Sequence, residues 1–209
     1  MPLLPADWYF DFISPFSYLH WQALKTVPAL DLRPVPILFA PLLSHHQHRG
    51  PAEIPAKRKF SYRFVQWQAE QAGVPFRWPP AHPFNPLPAL RLAIALEARA
   101  EVIDAIFAAI WGAGALPDLA LLEPIAARFD SRSLAQLLED PAVKTRLKAN
   151  GEEALARGVF GVPTLLVEGE LFWGNDSTAF LRAWLADRTL FQRADYVRID
   201  ALPMAVSRV

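Results

Sequence analysis

Cysteine is absent from this chain of 209 residues. Its absence excludes disulfides, a protein thiolate nucleophile and cysteine-ligated metals. An excess of charge of either sign is absent too, because 21 Lys and Arg residues balance 21 Asp and Glu residues. Such a chain has neither the basic surface that binds nucleic acid nor a polybasic segment for an anionic membrane. The composition therefore favours small-molecule chemistry without a cysteine nucleophile.

Long apolar runs are also missing. The most apolar stretch, residues 89–115, is interrupted by five charged residues, Arg91, Glu97, Arg99, Glu101 and Asp104, which predicts no membrane span. The opening MPLLPADWYF lacks the basic segment and apolar run of a secretory signal. Walker, GxGxxG, GxSxG and HExxH motifs are absent as well. We therefore expect a cytoplasmic globular protein that is neither a motif-bearing nucleotide-binding protein nor a hydrolase.

The first 43 residues show a strand–helix–strand pattern. Residues 8–13 (WYFDFI) are apolar apart from Asp11, as in a strand buried on both faces. Ser14 and Pro15 follow at once, the residue types preferred at the cap and first position of a helix. Residues 31–43 are interpreted as a second strand, and their prolines predict either a position at a sheet edge or a strand that begins at Val35.

A helical block occupies the middle of the chain. The pattern predicts a helix over 57–72 and an extended proline-rich segment over 74–88. Three further helices are predicted over 89–111, around 121–129 and over 141–157. Strand signals return only after this block.

The last third predicts two short strands around a turn at Glu168 and Gly169, followed by a helix. Asn175 or Asp176 is the expected cap of that helix, and the tail after residue 188 shows no clear period. The order βαβ, helical block, ββα predicts an α/β thioredoxin-like fold with a large all-helical insertion.

The boundaries of this organisation follow from the same pattern. Residues 1–43 and 156–209 are predicted to form one discontinuous thioredoxin-like domain, and residues 44–155 the helical insertion domain.

Ser14 is the sharpest candidate for chemistry, because ligands bind where a parallel strand ends and a helix begins. The free N–H groups and positive end of the helix dipole stabilise an anion such as a thiolate. A serine hydroxyl there can donate a hydrogen bond to a ligand sulfur. The alternative is that Ser14 only caps the helix, and local sequence alone favours that alternative.

Two later positions carry similar pairs of interpretations. Val162–Pro163 precedes a strand, which suits a cis peptide bond with outward-facing Val162 backbone groups, although the local sequence favours an ordinary trans proline. Asn175 and Asp176 can bind the charged end of a ligand, Asp176 suiting an ammonium group, or simply cap a helix.

Other polar groups are weaker candidates. Three histidines lie in the loop after the second predicted strand: His45, His46 and His48. They specify no further metal ligand, so no metal site is predicted. Basic residues Lys57, Arg58 and Lys59 can contact an anionic substrate or form a solvated helix face. Asn85 stands on a rigid proline-rich loop and can line a pocket.

Three separate motifs, taken together, resemble the 2-hydroxychromene-2-carboxylate isomerase family. They are WYFDFISPFSYL, PFRWPPAHPFNPLPALR and GVFGVPTLLVEGELFWGND, spread over roughly residues 7–188. That family groups with kappa-class glutathione transferases and DsbA-like thioredoxin folds. The resemblance implies that Ser14 binds and activates the sulfur of glutathione.

The resemblance extends to the rest of the cofactor site. It implies that the backbone of Val162, before the cis proline Pro163, pairs with the cysteinyl part of glutathione. It also implies that Asn175 and Asp176 hold the γ-glutamyl end of glutathione.

The resemblance implies an activity as well. The expected function is glutathione-dependent isomerisation of a small aromatic compound by a homodimer, with Phe16, Lys57 and Asn85 in the substrate pocket. A kappa-class-like glutathione transferase and a non-catalytic glutathione-binding protein are the alternatives. Dithiol redox catalysis is excluded, because the hydroxyl of Ser14 cannot form a mixed disulfide. The loop HHQHRGPAEIPAKR departs from the family's Gly-Asn-Pro-Pro-like loop, which helps shape the substrate site.

Overall fold

A computed structural model describes residues 2–206, and four strands form its central mixed sheet. They are β1 (Leu4–Phe10), β2 (Leu30–Pro36), β3 (Thr164–Val167) and β4 (Glu170–Trp173), arranged in the order β2-β1-β3-β4. β1 is parallel to β2 and antiparallel to β3, and β4 is antiparallel to β3. The end of β1, the start of β3 and the end of β4 therefore lie at the same edge of the sheet, the edge that strand ends form rather than an outer strand.

Helices pack around this sheet. Those of the described chain are α1 (Pro15–Leu24), α2 (Phe39–His45), α3 (Pro55–Ala72), α4 (Leu87–Ala95), α5 (Ala100–Phe107), α6 (Leu119–Ala127), α7 (Leu134–Glu139), α8 (Pro141–Ala156), α9 (Thr178–Ala186) and α10 (Ala194–Asp200). Helices α2 to α8 lie between β2 and β3 along the chain. The thioredoxin-like arrangement with a helical insertion is therefore confirmed, while the exact domain boundaries stay a prediction.

Burial of β1 on both faces follows from its alternating side chains. Trp8 and Phe10 point to the larger core, where their rings stack with centroids 4.3 Å apart. Tyr9 points to the opposite face, against Val35 and Leu166. The prediction of a doubly buried strand is confirmed for residues 8–10, whereas its extension to residue 13 is wrong, because β1 ends at Phe10 and residues 11–13 form the turn that leads to Ser14.

The second predicted strand is wrong in its last part. β2 ends at Pro36, and the chain turns into α2 within the predicted range 31–43. The N–H of Phe39, at the start of α2, donates to the carboxyl group of Asp11 at 2.9 Å. Pro41 falls in the first turn of this helix, where its missing N–H costs nothing. Placement of β2 at the sheet edge is confirmed.

The long helix predicted over 89–111 is wrong, because the chain forms α4, α5 and a final π-helical turn instead. Glu97 and Ala98 adopt left-handed φ angles of 59° and 50°. The N–H of Glu97 bonds to Ile94 O and that of Ala98 to Ala93 O, the pattern of a Schellman motif. The break carries no glycine or proline, so the sequence offered no usual signal for it.

Two short helices escaped the sequence analysis. α7 begins with a capping box in which Ser133 and Gln136 exchange hydrogen bonds, a signature visible in the sequence. α10 lies in the tail, which packs back through Phe191 against Phe180 and Trp184, with ring centroids 5.2 and 6.2 Å apart. Aromatic packing, not periodicity, orders this tail.

The remaining predicted elements are confirmed. α3 covers the range 57–72 and ends at Gly73, whose φ is 61°. Helices α6 and α8 occupy their predicted ranges, and the β3–β4 hairpin turns at Glu168 and Gly169 with φ angles of 50° and 91°. No helix within residues 2–206 is long and apolar enough to cross a membrane.

Candidate active site

Ser14 lies between β1 and α1 as the cap of the helix. Its backbone is extended (φ −91°, ψ 114°), and its Oγ accepts the N–H of Ser17 at 3.2 Å. The capping role is therefore confirmed. A serine hydroxyl also carries one donor, and within the described chain that hydrogen bonds to no protein group. The amide of Phe16 likewise donates to no protein acceptor among residues 2–206. Two donors are thus available at the positive end of α1.

The loop before β3 reaches the same edge of the sheet. Tyr9 of β1 pairs with Thr164, so the preceding Pro163 lies beside the end of β1. The Val162–Pro163 peptide bond is cis. Within the part of the chain that the structure describes, neither peptide group of Val162 has a backbone hydrogen-bond partner. These groups are available to an extended ligand.

The turn after β4 completes the edge. The N–H of Gly174 donates to the carbonyl oxygen of Pro163 at 2.9 Å, which holds the two loops together. Asn175 and Asp176 lie in a 3₁₀ turn that precedes α9, and the helix cap position belongs to Ser177. The predicted capping role of Asn175 or Asp176 is therefore wrong, because this extra turn separates them from the helix. It leaves the carboxylate of Asp176 exposed.

The predicted cofactor residues are thus brought to one edge of the sheet. Ser14 follows β1, Val162 and Pro163 precede β3, and Asn175 and Asp176 follow β4. Helix α1 packs directly against the 3₁₀ turn. The arrangement combines free hydroxyl and amide donors, free peptide groups and a carboxylate, which is a donor and acceptor set suited to a short peptide.

Asp11 is a feature of the site that the sequence analysis did not single out as functional. It is 1% exposed, and its carboxyl oxygens accept the N–H groups of Ile13 at 3.1 Å and Phe39 at 2.9 Å. Burial raises the pKa of Asp11 to about 7, against the opposite effect of these backbone hydrogen bonds. Its signal in the sequence was a lone carboxyl group in an otherwise apolar strand.

His82 is a second feature that the sequence analysis missed. Its Nε2 lies 2.8 Å from the carbonyl oxygen of Ile13, next to Ser14, and its Nδ1 lies 2.5 Å from the hydroxyl of Tyr62. Burial lowers the pKa of His82, so the imidazole is neutral near pH 7. The ring is surrounded by aromatic side chains of Trp78, Phe84 and Trp111. No local pattern marked this contact, which spans 69 residues of sequence.

The predicted substrate-pocket residues lie on two parts of the chain, Phe16 beside Ser14 on α1 and Lys57 and Asn85 on the helical insertion. Lys57 is exposed on the first turn of α3, and the exposed Asn85 uses its Oδ1 to accept the N–H of Leu87 at 3.1 Å. Neither polar side chain bonds to the Ser14 turn within residues 2–206. Phe16 is partly buried against the core. A groove beside α3 is lined by Ala52, Glu53, Pro55, Arg58, Lys59 and Tyr62. The pocket roles stay a prediction.

The three loop histidines pack against one another. Ring centroids of His45 and His46 lie 4.9 Å apart, and those of His46 and His48 lie 6.1 Å apart. Among residues 2–206, no group of three or more His, Cys, Asp or Glu side chains is placed to hold a metal ion.

Comparison with known proteins places this architecture in a family. The family model described as the DSBA-like thioredoxin domain matches residues 6–186. The chain belongs to the DSBA-like thioredoxin family. Its Ser14 stands at the strand-to-helix junction of that fold.

The chain is similar to proteins with two printed activities, 2-hydroxychromene-2-carboxylate isomerase and glutathione S-transferase. It is 31% identical to 2-hydroxychromene-2-carboxylate isomerase of Pseudomonas putida, over 91% of this chain and 98% of the relative. A solved structure of a 2-hydroxychromene-2-carboxylate isomerase superposes with a TM-score of 0.77 at 29% identity, covering 92% and 98% of the two chains. Glutathione S-transferase kappa 2 of Caenorhabditis elegans is 25% identical, over 76% of this chain and 78% of the relative.

Proposed function

We propose that this protein is a glutathione-dependent isomerase of a small aromatic compound, similar in activity to 2-hydroxychromene-2-carboxylate isomerase. The observation that carries the proposal is the hydroxyl donor of Ser14 at the start of α1, near the peptide groups of Val162, none of which has a backbone or side-chain partner among residues 2–206. Relatives with that printed activity cover nearly the whole chain. Without cysteine, the protein itself offers no thiol for redox chemistry.

The residues at the sheet edge fit glutathione, a peptide with a thiol and charged ends. Val162 offers an N–H and a C=O to the cysteinyl backbone, and the exposed carboxylate of Asp176 suits the γ-glutamyl ammonium group. Asn175 can bond to the neighbouring carboxylate of that γ-glutamyl end through its side-chain amide. The match between this set of groups and the peptide supports glutathione as the cofactor.

Chemistry at the site depends on a stabilised thiolate. Bound glutathione would supply a sulfur nucleophile that adds reversibly to an unsaturated substrate and is regenerated on elimination. Ser14 holds the sulfur by donating its hydroxyl hydrogen, and the amide of Phe16 adds a second donor. The positive end of α1 favours the negative charge and lowers the thiol pKa. Nearby aromatic rings, including Trp78 and Phe84, can stack on an aromatic substrate.

A titration with glutathione near neutral pH, following thiolate absorbance in the ultraviolet, tests the proposal. We expect wild type to bind with a thiolate signal and Ser14→Ala to lose that signal. Ser17→Ala is the matched control, because Ser17 is buried three residues further along the chain and its Oγ has no hydrogen-bond partner in the part of the chain that the structure describes. Absence of binding to wild type at millimolar glutathione would refute the cofactor assignment.

A glutathione transferase is the second candidate, favoured by the similarity to glutathione S-transferase kappa 2. It would use the same thiolate and release a conjugate, so that glutathione disappears as product forms. A non-catalytic glutathione-binding protein would bind glutathione without any turnover. Measurement of free thiol during turnover separates the isomerase from the transferase.

Assembly and location belong to the same proposal. We propose a homodimer, and an aromatic stripe on α3 offers a surface for it: the exposed Phe60 and Trp67 flank the half-buried Phe64, and the three rings stack in sequence. A cytoplasmic location fits an enzyme supplied with glutathione and built without cysteine.

A further inference from the structure

The two peptide units that lead into Ser14 are held at every polar group. In the first unit, the carbonyl oxygen of Phe12 accepts the indole N–H of Trp111 at 2.9 Å. The N–H of Ile13 in the same unit donates to Asp11 Oδ1 at 3.1 Å. Trp111 belongs to the helical insertion, so a hydrogen bond from the insertion holds the turn that precedes Ser14.

The second peptide unit, between Ile13 and Ser14, is held in the same manner. The carbonyl oxygen of Ile13 accepts from His82 Nε2 at 2.8 Å, and the N–H of Ser14 donates to the carbonyl oxygen of Asp11 at 3.1 Å. The orientation of this peptide plane sets φ of Ser14, and φ sets the direction in which its Cα–Cβ bond points. His82 therefore acts on the serine hydroxyl through one peptide group.

We propose that His82 is a positioning residue that fixes the direction of the Ser14 hydroxyl. The proposal rests on the proposed function in one respect, because it takes the hydroxyl of Ser14 as the group that contacts the ligand sulfur. His82 itself need not touch glutathione or substrate.

The protonation of the imidazole suits this role. A carbonyl oxygen only accepts hydrogen bonds, so the Nε2 that faces Ile13 O carries the hydrogen. Nδ1 of the neutral ring is then an acceptor, and the hydroxyl of Tyr62 lies 2.5 Å from it. Tyr62 thereby selects the tautomer that His82 needs in order to hold Ile13.

The backbone of His82 is fixed as well as its ring. Its carbonyl oxygen lies 3.1 Å from Arg58 Nη2 and 3.0 Å from the Tyr62 hydroxyl, both on α3. Rings of Trp78, Phe84 and Trp111 surround the imidazole with centroids 5.5 to 5.8 Å away. Because α3 holds the backbone of His82 and these rings hold its imidazole, the helical insertion determines where the imidazole contacts the Ser14 turn.

Amide hydrogen exchange tests the proposal without any ligand. His82→Phe keeps a ring but removes the donor, and His82→Gln keeps a side-chain N–H. Tyr18→Phe is the matched control, because it removes a 2.7 Å hydrogen bond to Pro75 O at the same interface without touching the turn. We measure exchange at the Ser14 amide relative to exchange at the Leu165 amide in β3. In His82→Phe we expect this ratio to be about tenfold higher than in wild type, because one hydrogen bond to the turn is lost. His82→Gln should lie near wild type and Tyr18→Phe should equal it.

The thiolate titration with glutathione provides the second readout on the same variants. We expect the thiolate signal at neutral pH to fall about tenfold in His82→Phe and to recover in His82→Gln, without change in Tyr18→Phe. Equal exchange and equal signals in His82→Phe and Tyr18→Phe would overturn the positioning role. If wild type binds no glutathione, the proposed function fails and exchange at Ser14 alone decides the role of His82.

If His82→Phe does not fold, Tyr62→Phe tests the same proposal. That change removes the hydroxyl that lies 2.5 Å from Nδ1 and 3.0 Å from the carbonyl oxygen of His82, and it leaves the imidazole in place. We expect about threefold faster exchange at the Ser14 amide than in wild type, because the hydrogen bond from His82 to the carbonyl oxygen of Ile13 is weakened but not removed. An unchanged rate would count against the proposal.

Discussion

Ser14 combines two roles that the sequence presented as alternatives. Its oxygen accepts the N–H of Ser17 while its hydrogen has no protein partner within residues 2–206. Capping uses a lone pair and activation of a sulfur uses the O–H, so one side chain serves both. The two roles can be separated by substitutions that keep one of them.

Ser14→Asp separates capping from sulfur binding. Aspartate is a good cap, and its charge is favourable at the start of α1, so the thermal midpoint should stay near wild type. It has no donor and repels a thiolate, so we expect thiolate formation from glutathione to fall at least about tenfold. Ser14→Ala should lose both roles, with a stability loss of about 1 kcal/mol. A wild-type titration curve for Ser14→Asp would contradict the hydroxyl's role.

Asp11 predicts a pH dependence of stability with a definite sign. Its pKa is raised to about 7 in the folded protein from an ordinary value of 3.8, because it is buried. Between these pH values the folded state holds a proton that the unfolded state has released. The contribution of Asp11 to the free energy of unfolding therefore falls as pH rises from about 4 to 7. The total loss is at most about 1.4 kcal/mol for each unit by which the pKa of Asp11 differs between the folded and unfolded states.

The test compares Asp11→Asn with wild type by urea unfolding at pH 4, 6 and 8. Asparagine does not titrate, so the difference in free energy of unfolding should shift in favour of the variant as pH rises. Asp31→Asn, a change at an exposed position of β2, is the control and should leave the profile unchanged. A difference that is flat with pH, or that moves against the variant, would show that Asp11 is ionised in the folded protein at low pH.

At the scale of elements, the turn between β4 and α9 depends on Gly174. Its φ is 86°, and a Cβ atom there would lie 2.5 Å from Oδ1 of Asp176. The glycine therefore lets the carboxylate of Asp176 fold back over the turn that faces the sheet edge. This makes the turn a place where a small change should affect ligand binding directly.

Gly174→Ala tests the turn, with Gly169→Ala as its control. Both glycines have a positive φ, and the ψ of 156° at Gly174 belongs to a region essentially restricted to glycine. We expect Gly169→Ala to cost about 1 kcal/mol of stability and Gly174→Ala about 1–3 kcal/mol. A Cβ atom at Gly169 meets nothing within 4 Å, whereas at Gly174 it displaces the Asp176 carboxylate. Calorimetry should show weaker glutathione binding, by about fivefold or more, only in Gly174→Ala. Equal affinities would mean that Asp176 does not hold the ligand.

Prediction from sequence succeeded where a local signal determined the structure. Proline and glycine positions predicted α3 and the β3–β4 hairpin, and Ser14 with Pro15 predicted the start of α1. The break after α4 escaped because Glu97 and Ala98 adopt left-handed backbones without glycine. Local hydrogen bonds to Ile94 and Ala93 hold these two residues, and Ala98 packs against the larger core, a contact that a local pattern does not contain.

The candidate site divides in the same way. Ser14 and Pro163 lie in short motifs whose residue types predict a helix cap and the start of a strand, so the sequence alone suggested both residues. His82 and Trp111 reach the same turn from 69 and 99 residues away. Only the folded insertion brings these donors to the carbonyl groups beside Ser14.

At the scale of the whole molecule, the aromatic stripe on α3 predicts self-association. Trp67 is 54% exposed and stacks on Phe64. Placing a charge there should prevent burial of the stripe, so Trp67→Glu should be monomeric by light scattering where wild type is dimeric. Val197→Glu, an equally exposed apolar position on α10, should stay dimeric. A monomeric wild type, or a dimeric Trp67→Glu, would exclude this surface.

Turnover with a limiting amount of glutathione tests the proposed function most directly. 2-Hydroxychromene-2-carboxylate would be incubated with wild type and Ser14→Ala, with product and free thiol measured over time. The proposed function predicts that wild type converts many equivalents of substrate per glutathione, leaves the free thiol constant, and requires both glutathione and Ser14. Conversion that proceeds equally without glutathione, or that consumes one glutathione per product, would contradict it.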